Sequence, residues 1–286
     1  MQASPSFRIP LALPSLAEEL AELSARLGES GWSCGAADPG WTPAGALMTP
    51  GSALLEGWLE HEGSHYPDTD LKTRCAFLLG RYAWYLALPL AGLRLLGGRL
   101  PGFGPAQLAL KMEEYQWRHQ DQEGTAHRLL LRFADGYPAD AGEETERRLR
   151  HGLEEHMTPL VSLLHRRCGL PERGLWCLVA DSVALAFLHA GQRLGCEARA
   201  RALALAVLKE PGSPLYNRKT GFVDIVLPDP DHPGREPVRR SFRTRAGCCR
   251  FYTTQGGRYC ATCVREHPEN RDRRLRELVR AQLAAD

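Results

Sequence analysis

The chain has 286 residues, a formal net charge of +2 at pH 7, 43% hydrophobic residues and 24% charged residues. A chain of this length can bury a sizeable core, and its composition is that of a folded globular protein, which excludes a largely disordered chain. The nearly neutral charge gives the molecule as a whole no strong attraction to nucleic acid or to a membrane surface, so nucleic acid is not expected as a partner.

The first part of the chain is predicted to be mostly helical. A helix over residues 15–28 begins with a capping box, formed by Ser15 and Glu18, and ends at Gly28. The other elements predicted before residue 135 are a Gly/Pro-rich loop at 29–51, helices at 52–61, at 70–96 with a break at Pro89 and at 104–114, and a strand at 127–133.

The second part contains the predicted core helix, at residues 171–194, which is apolar nearly all round. The remaining predictions are helices at 141–167 and 196–209, strands at 222–227, 238–243 and 250–254, and a closing amphipathic helix at about 270–285 with Leu275, Leu278, Val279 and Leu283 facing inward. Together these elements predict an α+β fold that is predominantly α-helical with a small antiparallel sheet. We expect residues 1–286 to form a single domain.

Neither a membrane span nor a secretory signal is expected. The most apolar stretch, residues 76–96, contains Arg81, Pro89 and Arg94, which is typical of a buried helix. The apolar run within residues 1–14 is short and interrupted by prolines. Five of the nine cysteines are scattered along the chain before residue 200, and an odd total argues against a disulfide framework. We therefore expect a cytoplasmic protein.

Four cysteines near the C-terminus form the most informative pattern: Cys248, Cys249, Cys260 and Cys263. The two residues between Cys260 and Cys263 let both sulfurs face one centre, which suits zinc and an iron–sulfur cluster equally well. In the adjacent pair, an extended backbone sends the two side chains to opposite faces, so the chain must bend, as Gly247 allows, or the two cysteines must bind different metal atoms. A two-iron cluster offers two attachment points, and the doublet therefore favours a 2Fe-2S cluster.

The segment around these cysteines is locally basic. From Arg235 to the end there are thirteen arginines and no lysine, against six acidic residues. Four thiolates and two sulfides make the cluster anionic, and reduction makes it more so. Arginines close to the cysteines are therefore predicted to stabilise the reduced cluster and to attract an anionic ferric complex; the candidates are Arg243, Arg245, Arg250 and Arg258.

The stretch from Arg245 to Tyr252, followed by Gly256-Gly257 and Cys260-Ala-Thr-Cys263, resembles the C-terminal signature of the FhuF-like ferric-siderophore reductases. The resemblance implies a 2Fe-2S segment at about 238–268 in which Cys248, Cys249, Cys260 and Cys263 bind the cluster. It also implies an oxidoreductase that reduces iron(III) in a siderophore to iron(II) and releases iron in the cytoplasm. The spacing of the other residues selects no substrate-binding side chain.

Further catalytic side chains are not expected, because one-electron reduction of iron(III) requires no general acid, base or nucleophile. No nicotinamide or flavin fingerprint is present in the sequence, so a separate donor, a reductase or a ferredoxin-like protein, is expected to supply the electrons.

Two other functions are compatible with the cysteines. One is a zinc-stabilised adaptor that binds nucleic acid or protein through its basic C-terminal segment. The other is a 2Fe-2S electron carrier or redox sensor without a siderophore pocket.

Overall fold

The computed structural model describes residues 13–36, 38–66, 68–97, 99–119, 122–138, 145–228 and 236–284. Within these ranges the fold combines long helices with two small sheets. The helices are α1 (Leu16–Leu27), α2 (Ala53–Ser64), α3 (Leu71–Leu96), α4 (Thr145–Cys168), α5 (Glu172–Arg193), α6 (Glu197–Leu208) and α7 (Pro268–Leu283). The strands are β1 (Trp32–Cys34), β2 (Thr42–Pro43), β3 (Leu108–His119), β4 (Gln122–Phe133), β5 (Gly221–Leu227) and β6 (Val238–Thr244).

The first sheet has four strands in the order β1-β4-β3-β2. Its centre is the long antiparallel hairpin of β3 and β4, and β2 adds antiparallel to β3, whereas β1 runs parallel to β4. The second sheet is the antiparallel pair of β5 and β6, which are in register from Gly221 opposite Thr244 to Leu227 opposite Val238. The α+β prediction is confirmed, although the larger sheet is mixed rather than antiparallel.

Helices α3 and α5 pack along each other and form the centre of the main hydrophobic core. Both are long and apolar enough to cross a membrane by length and composition, but 72% and 83% of their apolar windows are buried inside the protein. A second, smaller core lies between β5 and α7 and consists of Ile225, Leu227, Leu275 and Val279. The division of the chain into domains stays a prediction.

Several sequence predictions are confirmed in detail. Helix α1 has the predicted capping box, and Gly28 ends it in the left-handed conformation with φ of 66°. The helices predicted at 52–61, 171–194 and 196–209, and the strands at 127–133, 222–227 and 238–243, are also present with shifted ends. The first residues of the helix predicted at 141–167 lie outside the described residues, as does the last residue of the helix predicted at 270–285.

Other predictions are wrong. Residues 104–114 do not form a helix, because most of this stretch belongs to β3 and pairs with β4. Helix α3 continues through Pro89, which is buried in the core. The strand predicted at 250–254 is a short 3₁₀ helix at Phe251–Thr253. Leu278 of α7 is exposed rather than inward-facing. The predicted loop at 29–51 contains β1, β2 and a 3₁₀ helix at Ala44–Met48.

Candidate metal centre

The loop that carries the four cysteines begins directly after β6 and is fixed to the middle of α5 by one buried carboxylate. Asp181 accepts hydrogen bonds from the backbone N–H groups of Ala246 at 2.9 Å and Gly247 at 2.8 Å. It also accepts from the hydroxyl of Thr220 at 2.6 Å, while its own backbone carbonyl accepts from Arg243 at 2.6 Å. Because Asp181 is only 1% exposed, these bonds compensate for the cost of burying its charge and hold the start of the loop in place.

Gly247 lets this part of the loop rest directly on α5. A Cβ atom at this position would lie 2.7 Å from the backbone nitrogen of Leu178 and 3.0 Å from the carbonyl carbon of Cys177. Any side chain would therefore push the loop away from the helix. The sequence predicts that Gly247 allows the chain to bend. A bend does occur at this residue, but the close approach to α5 is what requires glycine.

A second attachment joins the loop to the N-terminus of α3. Arg250 has φ of 62°, an uncommon left-handed conformation for a residue other than glycine. Its guanidinium donates to the carboxylate of Asp70 at 2.7 Å and to the hydroxyl of Thr73 at 3.0 Å. The hydroxyls of Thr73 and Thr253 are 3.1 Å apart. The loop is thus held on both sides of the adjacent cysteine pair.

The four cysteines line one small cleft in this loop. Cys263 is only 5% exposed, whereas Cys248, Cys249 and Cys260 are half-buried. One nitrogen of the Arg245 guanidinium lies 3.6 Å from Sγ of Cys249 and 3.4 Å from Sγ of Cys260. A buried cation thus faces two of the four sulfurs.

The electrostatics of the cleft favour a thiolate at Cys249, whereas the hydrogen bond to Cys249 and burial raise the pKa of Cys260. A hydrogen bond from the Cys260 thiol, with the Arg245 charge in addition, lowers the pKa of Cys249 to about 5. Burial opposes the charge on Arg245, but the Cys249 and Cys260 sulfurs outweigh this effect and raise the pKa of the guanidinium. Burial and the neighbouring Arg245 lower the pKa of Arg243 to about 10, which still leaves Arg243 charged at neutral pH.

These residues fit an anionic cluster of two irons. Among the described residues, no group of three or more His, Cys, Asp or Glu side chains is gathered as the ligand set of one metal ion. A 2Fe-2S cluster does not require such a group, since it takes four thiolates in all and shares them between two irons. Arg245 is held in place for such an anion, because its Nε lies 3.5 Å from the Asp181 carboxylate while another nitrogen of its guanidinium faces the sulfurs of Cys249 and Cys260.

The arginines named in the sequence analysis have different environments. Arg245 contacts the sulfurs, and Arg258 lines the same cleft but is exposed. Arg243 and Arg250 are engaged by Asp181 and Asp70 instead. Among the described residues, no direct contact with a cysteine sulfur is made by Arg243, Arg250 or Arg258. Their predicted effect on a cluster therefore stays a prediction.

Sequence reasoning missed the two carboxylates that hold the loop. Asp181 carries a detectable signal, because it is the one acidic residue within the otherwise apolar middle of α5, where an unpaired carboxylate would be costly. Asp70 has an ordinary role as the N-cap of α3, accepting from the backbone N–H of Thr73 at 2.8 Å, and nothing in the sequence marks its second bond to Arg250.

Comparison with protein families locates the same segment. Residues 245–265 match the family model of the FhuF 2Fe-2S C-terminal domain. This match contains Arg245 and all four cysteines, and it begins one residue after β6 ends. None of the curated proteins compared matches the chain. The chain therefore carries an FhuF-type 2Fe-2S domain in the loop between β6 and α7, and its cofactor is a 2Fe-2S cluster.

Proposed function

We propose that this protein is a ferric-siderophore reductase and that Cys248, Cys249, Cys260 and Cys263 hold its 2Fe-2S cluster. The observation that carries the proposal is the placement of these four cysteines in one cleft of an FhuF-type domain, with Arg245 against two of the sulfurs. The cluster supplies transfer of one electron at a time, which is the change needed to convert iron(III) into iron(II).

The protein's own residues make the site suitable for this transfer. The Arg245 charge favours the form of the site that carries an added electron, because the cation lies within 3.6 Å of two sulfurs. The bonds of Asp181 and Arg250 fix the loop at both ends of the cysteine pair, so little rearrangement is needed when the charge changes. Three of the cysteines are half-buried rather than enclosed, which lets a substrate approach the cleft.

Release of iron follows from its oxidation state. Iron(II) binds hard oxygen donors more weakly than iron(III) does, so a siderophore holds the metal less firmly once iron has gained an electron. The reaction needs no proton transfer by the protein. A separate protein, a reductase or a ferredoxin-like carrier, supplies each electron under this proposal.

The proposal places the reaction in the cytoplasm. None of the nine cysteines forms a disulfide in the structure. Reduced cysteines are usual in that compartment, where iron delivered by a siderophore also becomes available for use.

Release of iron(II) tests the proposal. The protein is reduced without air and mixed with hydroxamate, catecholate and carboxylate ferric siderophores in the presence of a ferrous chelator that changes colour. We expect iron(II) to appear with at least one siderophore and not with the Cys249→Ser variant. If no siderophore yields iron(II) although the centre takes up and gives back electrons, the protein is an electron carrier or sensor and the reductase proposal is wrong.

A further inference from the structure

A cavity of about 950 Å³ opens beside the turn that joins two of the proposed cluster ligands. Ala261 and Thr262, which separate Cys260 from Cys263, form part of its wall. Most of the other lining residues belong to α5 and β6. Sites for small molecules range over about 300 to 1,000 Å³, so this cavity has room for a metal chelate close to the cluster segment.

The cavity is positively charged. Three arginines of β6, Arg239, Arg240 and Arg243, line it, and Arg239 is paired with the carboxylate of Asp224, which does not line the cavity. Arg240 is exposed, its guanidinium donates to the carbonyl of Arg239 at 3.3 Å, and it has no carboxylate partner among the described residues. The acidic lining residue Glu197 is already engaged by the Ser241 hydroxyl and lies 3.6 Å from Arg201. The excess of positive charge therefore comes from Arg240, and from Arg243, which donates to the backbone carbonyl of Asp181 rather than to a carboxylate.

A smaller cavity on the other side of Arg243 is a weaker candidate. Arg81, Arg245 and Cys249 line it, but its volume is about 200 Å³, below the range of sites for small molecules. Arg81 is also paired with the buried carboxylate of Glu62 at 3.1 Å, so its charge is already compensated. The larger cavity has both the volume and the uncompensated charge for a substrate.

We propose that the cavity lined by Arg239, Arg240 and Arg243 binds the substrate and selects anionic ferric chelates, of the catecholate or carboxylate type, over neutral trihydroxamate complexes. This inference rests on the proposed reductase function and adds the charge class of the substrate. Three doubly ionised catecholates around iron(III) leave a net triple negative charge, whereas three hydroxamates leave none. The arginines attract the first complex and have no net charge to attract in the second.

Binding of redox-inert gallium(III) complexes tests the inference without electron transfer. Gallium(III) has the charge of iron(III) and gives the same complexes, but it is not reduced under these conditions. Calorimetric titration is carried out on the full chain with its cluster, using the gallium tris-catecholate and the neutral gallium trihydroxamate. The cavity variants are Arg240→Gln and Arg240→Glu, and the matched control is Arg273→Gln, which removes an exposed arginine of α7 that does not line the cavity.

We expect the tris-catecholate to bind more tightly than the trihydroxamate, and to lose about tenfold in affinity in Arg240→Gln and more in Arg240→Glu. Added salt should weaken the binding to the wild-type protein, and Arg273→Gln should bind normally. The inference is overturned if the trihydroxamate binds as tightly, if neither complex binds, or if the cavity variants bind the tris-catecholate like the control. Iron(II) release from the matching iron complexes separates the two proposals. Binding of a complex without release of iron(II) refutes the reductase function alone. Release that is unaffected in both Arg240 variants refutes substrate binding in the cavity alone.

Discussion

Replacing Arg245 by glutamine should lower the reduction potential of the cluster. The Arg245 side chain is only 9% exposed, and its guanidinium is the cation that contacts the sulfurs of Cys249 and Cys260. Glutamine keeps a side chain that can donate a hydrogen bond but removes the positive charge. Because the reduced cluster carries one more negative charge than the oxidised one, loss of the cation destabilises the reduced state more.

The size of the effect follows from the distance. The sulfurs lie within 3.6 Å of the guanidinium. The irons that they bind, and an electron added to those irons, are then roughly 6 Å from the guanidinium charge. At an effective dielectric constant of about 20, this separation corresponds to about 3 kcal/mol. For a one-electron couple, where about 59 mV corresponds to a tenfold change in equilibrium, the potential should fall by about 120 mV.

Redox titration monitored by absorption and by electron paramagnetic resonance measures this shift. The matched control is Arg258→Gln, which removes an exposed charge from the same cleft and should lower the potential by less than about 30 mV because water and salt screen it. Arg245→Lys, which keeps the charge, should recover most of the wild-type potential. Equal shifts in Arg245→Gln and Arg258→Gln, or a higher potential in Arg245→Gln, would refute the reasoning.

Three further outcomes follow from the packing of the loop and the core. Gly247→Ala should lower cluster content, measured as iron per chain, because its Cβ would lie 2.7 Å from the α5 backbone; Gly57→Ala, with open space around its Cβ, should retain full content. Asp181→Asn should lower the free energy of unfolding in urea by about 2 kcal/mol, since an amide cannot accept all the hydrogen bonds made by the buried carboxylate; an unchanged midpoint would contradict this role. Burial lowers the pKa of His156 from 6.5 to about 4. As the pH drops, the unfolded chain therefore takes up a proton before the folded protein does. The free energy of unfolding should fall by about 3 kcal/mol between pH 6.5 and pH 4. His156→Gln should lack this part of the pH dependence, and an unaltered slope would show that another group causes it.

The helices and the cysteine motif were predictable because their signals are local. The capping box of α1 and the apolar sequence of α5 both concern residues that are neighbours in the chain, and the structure confirms them. The cysteines are recognised by spacing alone, and the family match covers the same residues. The signals for β3 were misleading, because Ala109, Leu110 and Lys111 favour a helix, and only pairing with β4 makes this stretch a strand.

The environment of the cysteines could not be derived from the sequence, because it depends on residues far apart in the chain. Arg245 was one of four equivalent arginines until the fold placed it between Asp181 and the sulfurs. The bond from Arg250 to Asp70 joins residues 180 positions apart. Pro89 was predicted to break α3, but packing of the whole helix against α5 outweighs the loss of one backbone donor.

The central claim is that Cys248, Cys249, Cys260 and Cys263 hold a 2Fe-2S cluster, and Mössbauer spectroscopy of iron-57-labelled protein, prepared without air, tests it most directly. Oxidised protein should show one pair of coupled high-spin iron(III) ions per chain, and dithionite should convert one of them to iron(II). Serine variants of the four cysteines should lose this spectrum, whereas Cys196→Ser, at a cysteine outside the loop, should keep it. Wild-type protein that contains only zinc, or a spectrum that survives replacement of all four cysteines, would contradict the account.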